Sequence, residues 1–391
     1  MPQIPESPAE PHRTANVAVV LAVFLDLVGF GIVVPQLPLA AARFTSSGLV
    51  IGLVVATDSL LSFLLAPHWG RLSDRIGRRP VILLGLAGSA IAYTVFGLAT
   101  SLAAIFLARL LSGSLGATVN VAQAALADTT PPEQRSRAMG LIGAAFGLAF
   151  TVGPALGGIA SKRGEGVPGL LAGGICLLNF LFAWVFLRES RTRRTQDWGA
   201  TARVPRAALL VTFAATLAFT TMYVVFQQFA TQQLGLTRAG ISYAFTLVGL
   251  VSVVVQGRLV RRLAPKLGEL RLVIWGGGLM AVGLALLPLL VTLPAHGAAQ
   301  LGGLGLSVAL LSAGFSLIGP CVAGFVSRNT PADDQGRVLG TLQSIGAGAR
   351  ILGPPLLGVL AEKGGFAAAF GLSAVAGALS AAIAARWKRR S

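Results

Sequence analysis

The sequence predicts an all-α membrane protein with twelve transmembrane helices in two pseudo-symmetric six-helix bundles. Three observations predict this fold class: long apolar stretches, basic residues concentrated in every second loop, and a repeat between the two halves. Apolar residues make up 54% of the 391-residue chain, its mean hydropathy is +0.76, and charged residues contribute 12%. Because soluble proteins carry about 25% charged residues, this composition is typical of a chain embedded in lipid.

The apolar residues form stretches long enough to cross a bilayer, whose hydrocarbon core requires about 20 helical residues. The stretches are continuous and lack the alternation of barrel strands, which favours helices. The 49 glycines suit the close approach of helices in lipid. The twelve predicted helices, numbered in chain order, are 15–37, 46–68, 80–100, 102–126, 137–160, 168–187, 207–230, 238–260, 270–293, 299–325, 337–361 and 366–385.

The basic residues predict the orientation of these helices. Of the 31 Lys and Arg residues, 24 lie in the termini and in the loops on the same side, and five lie in the loops on the other side. By the positive-inside rule, we expect a multi-pass protein of the inner (plasma) membrane with both termini in the cytoplasm. This topology also explains the net charge of +17, so we expect no nucleic-acid partner.

A basic segment without periodicity divides the chain into two halves. We predict a cytoplasmic tail at 1–14, a six-helix bundle at 15–187, a linker at 188–206, a second bundle at 207–385 and a basic tail at 386–391. The halves resemble each other at an offset of 200 residues: TTPPEQRSRAMG (129–140) matches NTPADDQGRVLG (329–340), and GPALGG (153–158) matches GPPLLG (353–358). Such repeats are typical of two bundles that move against each other around a midplane site.

The loop after helix 2 contains a dense charged motif, GRLSDRIGRR at 70–79. Its glycines permit a tight, closely packed turn, and Asp74 could accept hydrogen bonds from free N–H groups at a helix N-terminus. The alternative is a solvated basic turn that only sets orientation, which we favour for Arg75 and Arg79. The candidate residues are Gly70, Asp74, Arg75, Gly77, Arg78 and Arg79.

Helix 5 contains GLAFTVGPALGG from Gly147. The glycines provide a flat surface for another helix, and Pro154 bends the helix by removing one backbone donor. We expect a sealing surface on the outer side, with ordinary small-residue packing as the alternative. The candidate residues are Gly147, Gly153, Pro154, Gly157 and Gly158.

Of the 14 acidic residues, only Asp26 and Asp58 fall in mid-span. A charge at the membrane centre costs roughly 2.5–3.5 kcal/mol on insertion scales, so such residues are candidates for function. Asp26 is the candidate proton carrier, with Asp58 as a second and Arg109 in helix 4 as a group that could tune it. The alternative for Asp26 is a neutral aspartate in a packing role.

These motifs resemble those of the major facilitator superfamily, and in particular its twelve-helix drug/proton antiporters. The motif at 70–79 matches the superfamily's loop 2–3 signature, Arg109 with Gly113 matches its helix 4 signature, and the helix 5 glycines match its antiporter signature. LDLVGFGIVVPQLP at 25–38 is similar to helix 1 of the tetracycline/proton antiporters. The chain departs from these antiporters at Ala92, where they carry an aspartate, and at Asp58, where they usually carry a tyrosine.

The resemblance implies specific partners for the loop motif. Asp74 would latch onto the N-terminus of helix 11 on the cytoplasmic side, and Arg78 would pair with Asp128 at the end of helix 4 to fix this latch. The resembled fold also lines its cavity with helices 1, 4, 7 and 10. Polar stripes at helical spacing on helices 4 and 7 would then face the cavity, with interhelical hydrogen bonding as the alternative. The cavity candidates are Asn120, Gln123, Thr216, Thr220, Tyr223 and Gln227.

Helices 2 and 11 adjoin in the resembled fold, which predicts a partner for Asp58. Asp58 lies 11 positions before Trp69, and Arg350 lies 12 positions after Val338, so both are expected at about the same depth. We predict that they form an ion pair between the halves in at least one state. The alternative is that Arg350 binds an anionic compound.

The leading interpretation is a secondary active transporter that exports a small apolar or amphiphilic compound in exchange for protons by alternating access. No cofactor or metal site is expected, because Cys176, Cys321 and the three histidines are scattered. The sequence contains no clustered set of catalytic residues, so we do not expect an enzyme. A sugar or metabolite carrier, an organic-anion carrier using Arg350 and Arg109, and a non-transporting sensor remain as alternatives. We expect a monomer in the bilayer.

Overall fold

The structure, a computed structural model, describes residues 10–130, 135–189, 204–294, 297–331 and 335–389. Every regular element in these ranges is helical, which confirms the predicted class. Eleven helical stretches are long and apolar enough to cross a membrane, and the last of them, Val338–Lys388, has 51 residues.

The first half contains six of these stretches, and two of them are interrupted. The first continues through a 3₁₀ turn at Val34–Gln36 into Leu37–Ala41, and the fourth breaks at Gly116 and Ala117 before it resumes at Thr118–Thr129. The helices are α1 (Glu10–Val33), α2 (Gly48–Ile76), α3 (Arg78–Gly97), α4 (Leu102–Leu115, then Thr118–Thr129), α5 (Arg135–Ser161) and α6 (Val167–Phe186).

Two predictions for this half are wrong in detail. α1 begins at Glu10, inside the predicted tail, and α2 continues to Ile76, beyond the predicted end at 68. Gly70 therefore lies within a helix, and the only residue of the loop motif outside helices is Gly77, with φ +107°. Charged residues can continue a helix beyond the membrane into water, whereas a residue with a positive φ ends it.

The second half has the same order of helices. α8 carries a π-helical turn at Val255–Val260 before its last segment, Arg261–Leu267, and α9 ends in a 3₁₀ segment at Leu287–Thr292. The helices are α7 (Arg206–Gln232), α8 (from Arg238–Val254), α9 (Glu269–Leu286), α10 (Ala298–Arg328), and a final helical segment, Gln335–Lys388.

The final segment contains the last two predicted helices. Its 54 residues would measure roughly 80 Å as one helix, far more than a hydrocarbon core of about 30 Å. Gly365 has φ +79° and interrupts the helix. Gly353 packs against Thr220 of α7, and Ser373 hydrogen-bonds to the adjoining Thr221, so the chain reverses between them. We call residues 335–364 α11 and residues 366–388 α12.

Each half has its own apolar core. One core is built from residues between Val19 and Leu187, and the other mainly from residues between Ala208 and Ala384. Val224 joins the first core from the second half, and Val34 and Leu39 join the second core from the first half. The exact domain boundaries stay a prediction, since residues 1–9 and 190–203 of the predicted tail and linker lie outside the described residues.

The two halves touch at the end of the molecule opposite the chain termini, which we call the far end. There Gly48 of α2 lies against Gly358 of α11, and Gly249 of α8 lies against the backbone of Phe150 in α5. At the other end, the terminal end, a Cβ added to Gly70, Gly143, Gly257 or Gly340 would have no neighbouring atom within 4 Å. The space between the halves is therefore open towards the terminal end.

Candidate functional site

The first half buries an ion pair between α2 and α4. Arg109 Nη2 lies 3.2 Å from Asp58 Oδ2, and the Ser112 hydroxyl donates to Asp58 Oδ1. The side chain of Asp58 is 16% exposed, and Arg109 as a residue is 4% exposed. Because both charges are withdrawn from water, each depends on the other for compensation.

The local sequence explains how α2 and α4 come close enough for this pair. A Cβ at Gly113 would lie 2.8 Å from both the Cα and the carbonyl oxygen of Asp58, so only glycine fits there. The Trp69 indole N–H donates to the Ser114 carbonyl over 2.8 Å, and the Ser62 hydroxyl donates to the Gly113 carbonyl over 3.3 Å. Arg109 and Gly113, the two residues of the helix 4 signature, thus both lie against Asp58.

Asp26, a residue of α1, lies deeper in the same half, where α1 meets α3 and α4. Its carboxyl group is beside the hydroxyls of Ser89 and Thr118, but Oδ1 is buried without a hydrogen-bond partner among the described residues. Arg109 pairs with Asp58 and not with Asp26. A buried carboxylate without a cation can reduce its desolvation cost by binding a proton, so this arrangement suits a group that gains and loses protons.

The residues that surround Asp26 were not apparent from the sequence motifs. Tyr93 and Ser89 lie one turn apart on α3, both buried, and Tyr93 packs beside Gly29 of α1, where Cys176 also approaches. The spacing of Ser89 and Tyr93 at i and i+4 on an apolar helix was the available signal. Only the fold reveals that this face of α3 turns towards Asp26.

The second half contributes a guanidinium to the space between the halves. Arg350 of α11 forms no ion pair and no hydrogen bond with the described residues. Its electrostatic neighbours are Tyr223 of its own half and Asp58 of the other, so its exposure is to the gap and not to lipid. The predicted pair of Asp58 with Arg350 is not formed in this conformation, in which Asp58 pairs with Arg109.

The polar stripe of α7 lies only partly at the gap. Thr220 and Gln227 are fully buried: the Thr220 hydroxyl donates to the Leu217 carbonyl over 2.6 Å, and the Gln227 amide donates to the Val34 carbonyl over 3.4 Å. Both face helices that touch α7, so neither lines the gap here, in contrast to the prediction. Thr216 is also buried, at 8% exposed, whereas Tyr223 is half-buried and stacks with Phe245.

On α4, Asn120 is exposed and Gln123 is half-buried, and their role in lining the gap stays a prediction. Because Thr220 and Gln227 do not line the gap here, fewer side chains remain that could bind the hydroxyl groups of a sugar, which weakens the sugar-carrier alternative.

The loop motif is assembled within the first half. Arg78 Nε lies 3.0 Å from Asp128 Oδ2, and Arg78 Nη1 lies 2.6 Å from Asp74 Oδ1. Asp74 is 61% exposed and forms no hydrogen bond or ion pair with the described part of α11. The expected latch is thus disengaged, because the halves are apart at this end.

Glu189, which the sequence analysis did not single out, also holds the loop. It accepts the backbone N–H of Arg78 over 2.8 Å and that of Arg79 over 3.3 Å, next to the positive φ of Gly77. The Arg79 guanidinium donates to the Trp184 carbonyl over 2.6 Å. Arg79 therefore contributes to structure as well as to orientation, while Arg75 is exposed.

The glycines of α5 divide between two neighbouring helices. Gly153 and Gly157 lie against Gly31 and Ile32 of α1, while Gly147 and Gly158 lie against Val253 and Ser242 of α8. Pro154 packs beside Gly31. One face of α5 thus builds the first half, and the other closes the far end against the second half.

The described residues contain no cluster of three or more His, Cys, Asp or Glu side chains suited to a metal ion, and Cys176 and Cys321 are buried and unpaired. Comparison with known proteins gives the chain its family, because residues 19–347 and 208–391 match the Major Facilitator Superfamily. The chain belongs to the major facilitator superfamily. Members of this superfamily are membrane transporters, so the chain is a multi-pass transport protein and not an enzyme.

Several relatives within the superfamily span nearly the whole chain. The class B tetracycline resistance protein of Escherichia coli is 30% identical over 89% of this chain and 88% of its own length. Major facilitator superfamily domain-containing protein 10 of Bos taurus is 31% identical over 90% of this chain and 88% of its own length. The crystal structure of the human organic anion transporter MFSD10 (TETRAN) is 26% identical, with a TM-score of 0.70 over 96% of this chain and 99% of that chain.

Proposed function

We propose that this superfamily member exports small apolar or amphiphilic compounds in exchange for protons. The observation that carries the proposal is Asp26, a buried carboxylate without a cation beside a pair that is already neutral. The names of the relatives point the same way, since they include tetracycline resistance proteins and a multidrug resistance protein of Bacillus subtilis.

In this proposal Asp26 is the group whose charge changes. Asp58 and Arg109 compensate each other, so proton uptake alters the charge of the first half mainly at Asp26. A deprotonated Asp26 attracts a compound with a positive or polar group into the gap, since Coulomb forces are strong away from water. A proton on Asp26 removes that attraction. Competition between proton and compound for one charge is what obligatory exchange requires.

The distribution of basic residues supports a cytoplasmic location for the terminal end, in the inner membrane. The conformation described here then opens towards the cytoplasm. Export begins with entry from this side, followed by closure at the terminal end and opening at the far end.

Transport into proteoliposomes with an imposed pH gradient tests the proposal across a panel of labelled amphiphilic compounds. The wild-type protein should give gradient-driven flux, and Asp26→Asn should reduce it by at least ten-fold. A matched control, Glu165→Gln, removes a carboxylate that is 47% exposed at the surface of the far end and should retain most of the flux. Flux that is independent of the gradient and survives Asp26→Asn would contradict proton exchange and favour a facilitator.

An organic-anion carrier is the second candidate, favoured by the unpaired guanidinium of Arg350 at the gap and by the name of the 26% identical human protein, an organic anion transporter. A hydrogen bond to a charged group contributes about 1.5–3 kcal/mol. Arg350→Gln should therefore lower uptake of an aromatic carboxylate by about ten-fold or more, while Arg350→Lys retains part of it. Equal uptake by the wild-type protein and Arg350→Gln would exclude this role.

A further inference from the structure

The first turn of α2 is capped by a side chain from the other half of the molecule. The backbone N–H of Gly48 donates to Glu362 Oε2 over 2.6 Å. Gly48 is the first residue of α2, and Glu362 lies near the end of α11. The first N–H groups of a helix have no partner within the helix, and the helix dipole favours an anion there. The contact is therefore a charge-assisted cap supplied across the interface.

α2 lacks a cap of its own, although its sequence offers one. Ser47 stands at the N-cap position, but its side chain makes no capping hydrogen bond. Two other helices that begin at the far end cap themselves: Ser101 accepts the N–H of Ala104 at α4, and Thr237 accepts that of Gly240 at α8, each over 3.2 Å. A serine in the N-cap position normally accepts such a bond, so its absence at Ser47 coincides with the presence of Glu362.

The backbone contact between α2 and α11 places Glu362 at this position. Gly48 and Gly358 approach so closely that a Cβ on either would overlap the backbone of the other, and Gly52 packs in the same way against Pro354 and Pro355. Glu362 lies one helical turn beyond Gly358, on the same face of α11. The cap can therefore exist only while these two helices remain in contact.

We propose that Glu362 is a gating residue that favours the conformation closed at the far end by capping α2 from the other half. When the far end opens, Glu362 leaves α2 and the hydroxyl of Ser47 takes over as the cap. Glu362 and Ser47 then act in opposite directions on the same equilibrium. The inference requires only that the two halves separate at the far end, so it stands or falls independently of proton exchange.

Distances between spin labels on the full-length protein in nanodiscs, without substrate or gradient, measure this equilibrium. One label pair spans the far end, at Thr100 and Ala299, and another spans the terminal end, at Arg188 and Lys266; all four residues are exposed. The buried Cys176 and Cys321 are replaced by alanine in every variant, so that only the chosen positions are labelled.

Glu362→Ala should raise the ratio of far-end-open to far-end-closed protein by roughly two- to five-fold, as the loss of a charge at a helix N-terminus implies. Glu362→Gln retains an acceptor without the charge and should give a smaller shift in the same direction. Ser47→Ala should lower the ratio by about two-fold or more, because it removes the cap of the open state. Lys363→Ala, a neighbouring exposed residue, is the matched control and should leave the ratio unchanged.

Opposite shifts for Glu362→Ala and Ser47→Ala, with the terminal-end distances changing in the complementary sense, support the proposal. It is overturned if Glu362→Ala leaves both distance distributions unchanged, if Lys363→Ala produces the same shift, or if Ser47→Ala raises the ratio. Thermal unfolding of each variant verifies that a changed distribution belongs to folded protein.

Discussion

The two helix contacts that close the far end correspond to each other in the internal repeat, yet they differ in chemistry. Between α5 and α8, close contact runs from Gly158 with Ser242 to Gly147 with Val253, a span of roughly 16 Å along α5. Between α2 and α11, close glycine contacts occur at Gly48 with Gly358 and at Gly52 with Pro354, roughly 6 Å apart along α2. Each contact thus joins one helix of the first half to one helix of the second.

The contact between α2 and α11 lies beside the charges. Asp58 lies six residues beyond Gly52, and Arg350 lies four residues before Pro354, so both residues lie within two helical turns of these glycine contacts. The contact between α5 and α8 is made of glycine, serine, valine and phenylalanine. Because it carries no charge, we expect α5 and α8 to act as the pivot, and α2 and α11 to form the side that opens and presents ionisable groups.

The largest effect is expected from the charges beside the contact between α2 and α11. Asp58→Asn leaves Arg109 buried without its counter-charge, and breaking a buried pair costs about 3–5 kcal/mol. The variant should lose most of its thermal stability margin and its transport. Combining Asp58→Asn with Arg350→Gln tests the predicted pairing in a state closed at the terminal end. Transport partly restored in the double variant supports it, and equal defects in the single and double variants refute it.

A smaller effect should come from filling the pivot. A Cβ at Gly249 would overlap the Phe150 backbone, whereas Gly174 of α6 has open space around it. Overpacking costs typically 1–3 kcal/mol, so Gly249→Ala should shift the far-end equilibrium towards open by at least five-fold and slow transport, while Gly174→Ala should behave as the wild type. Spin-label distances at the far end measure the shift, and identical distances in both variants would remove α5 and α8 as the pivot.

The register of α5 and α8 predicts which residues of these two helices meet when the terminal end closes. One turn beyond Gly147 and Val253, the next pair towards the terminal end is Gly143 and Gly257, both without neighbours here. Cysteines at these two positions should form a disulfide slowly in the conformation described here. Their cross-linking should become several-fold faster when the terminal end closes, as judged by gel mobility before and after reduction. A rate unaffected by Glu362→Ala, which favours that closure, would contradict this register.

The smallest effect is expected at the surface of the far end. Glu165 binds Arg43 of its own half and, over 2.7 Å, Arg238 of the other half. Exposed ion pairs contribute about 0–1 kcal/mol, so Glu165→Gln should change the far-end distances by less than Glu362→Ala. A larger change from Glu165→Gln would mean that the surface cluster, and not the cap on α2, holds the far end closed.

The sequence indicated more of the scaffold than of the site. The apolar stretches predicted all twelve helices, including α11 and α12, because hydrophobic length is a local property of consecutive residues. The motif at 70–79 indicated Gly77, whose positive φ makes the turn, but it also suggested a turn at Gly70 that lies inside α2. The stripe on α7 was visible as periodicity, but spacing alone could not distinguish the gap from the neighbouring α11 and α1.

Local sequence thus determined the number, order and expected orientation of the helices, together with the two mid-span carboxylates that make the first half unusual. The tertiary structure decided which partner each of these groups has: Arg109 for Asp58, hydroxyls but no cation for Asp26, and Glu362 for the first turn of α2. The physical reason is distance. Hydrophobicity acts on each segment separately, whereas an ion pair or a cap depends on a few ångströms between helices that are far apart in the chain.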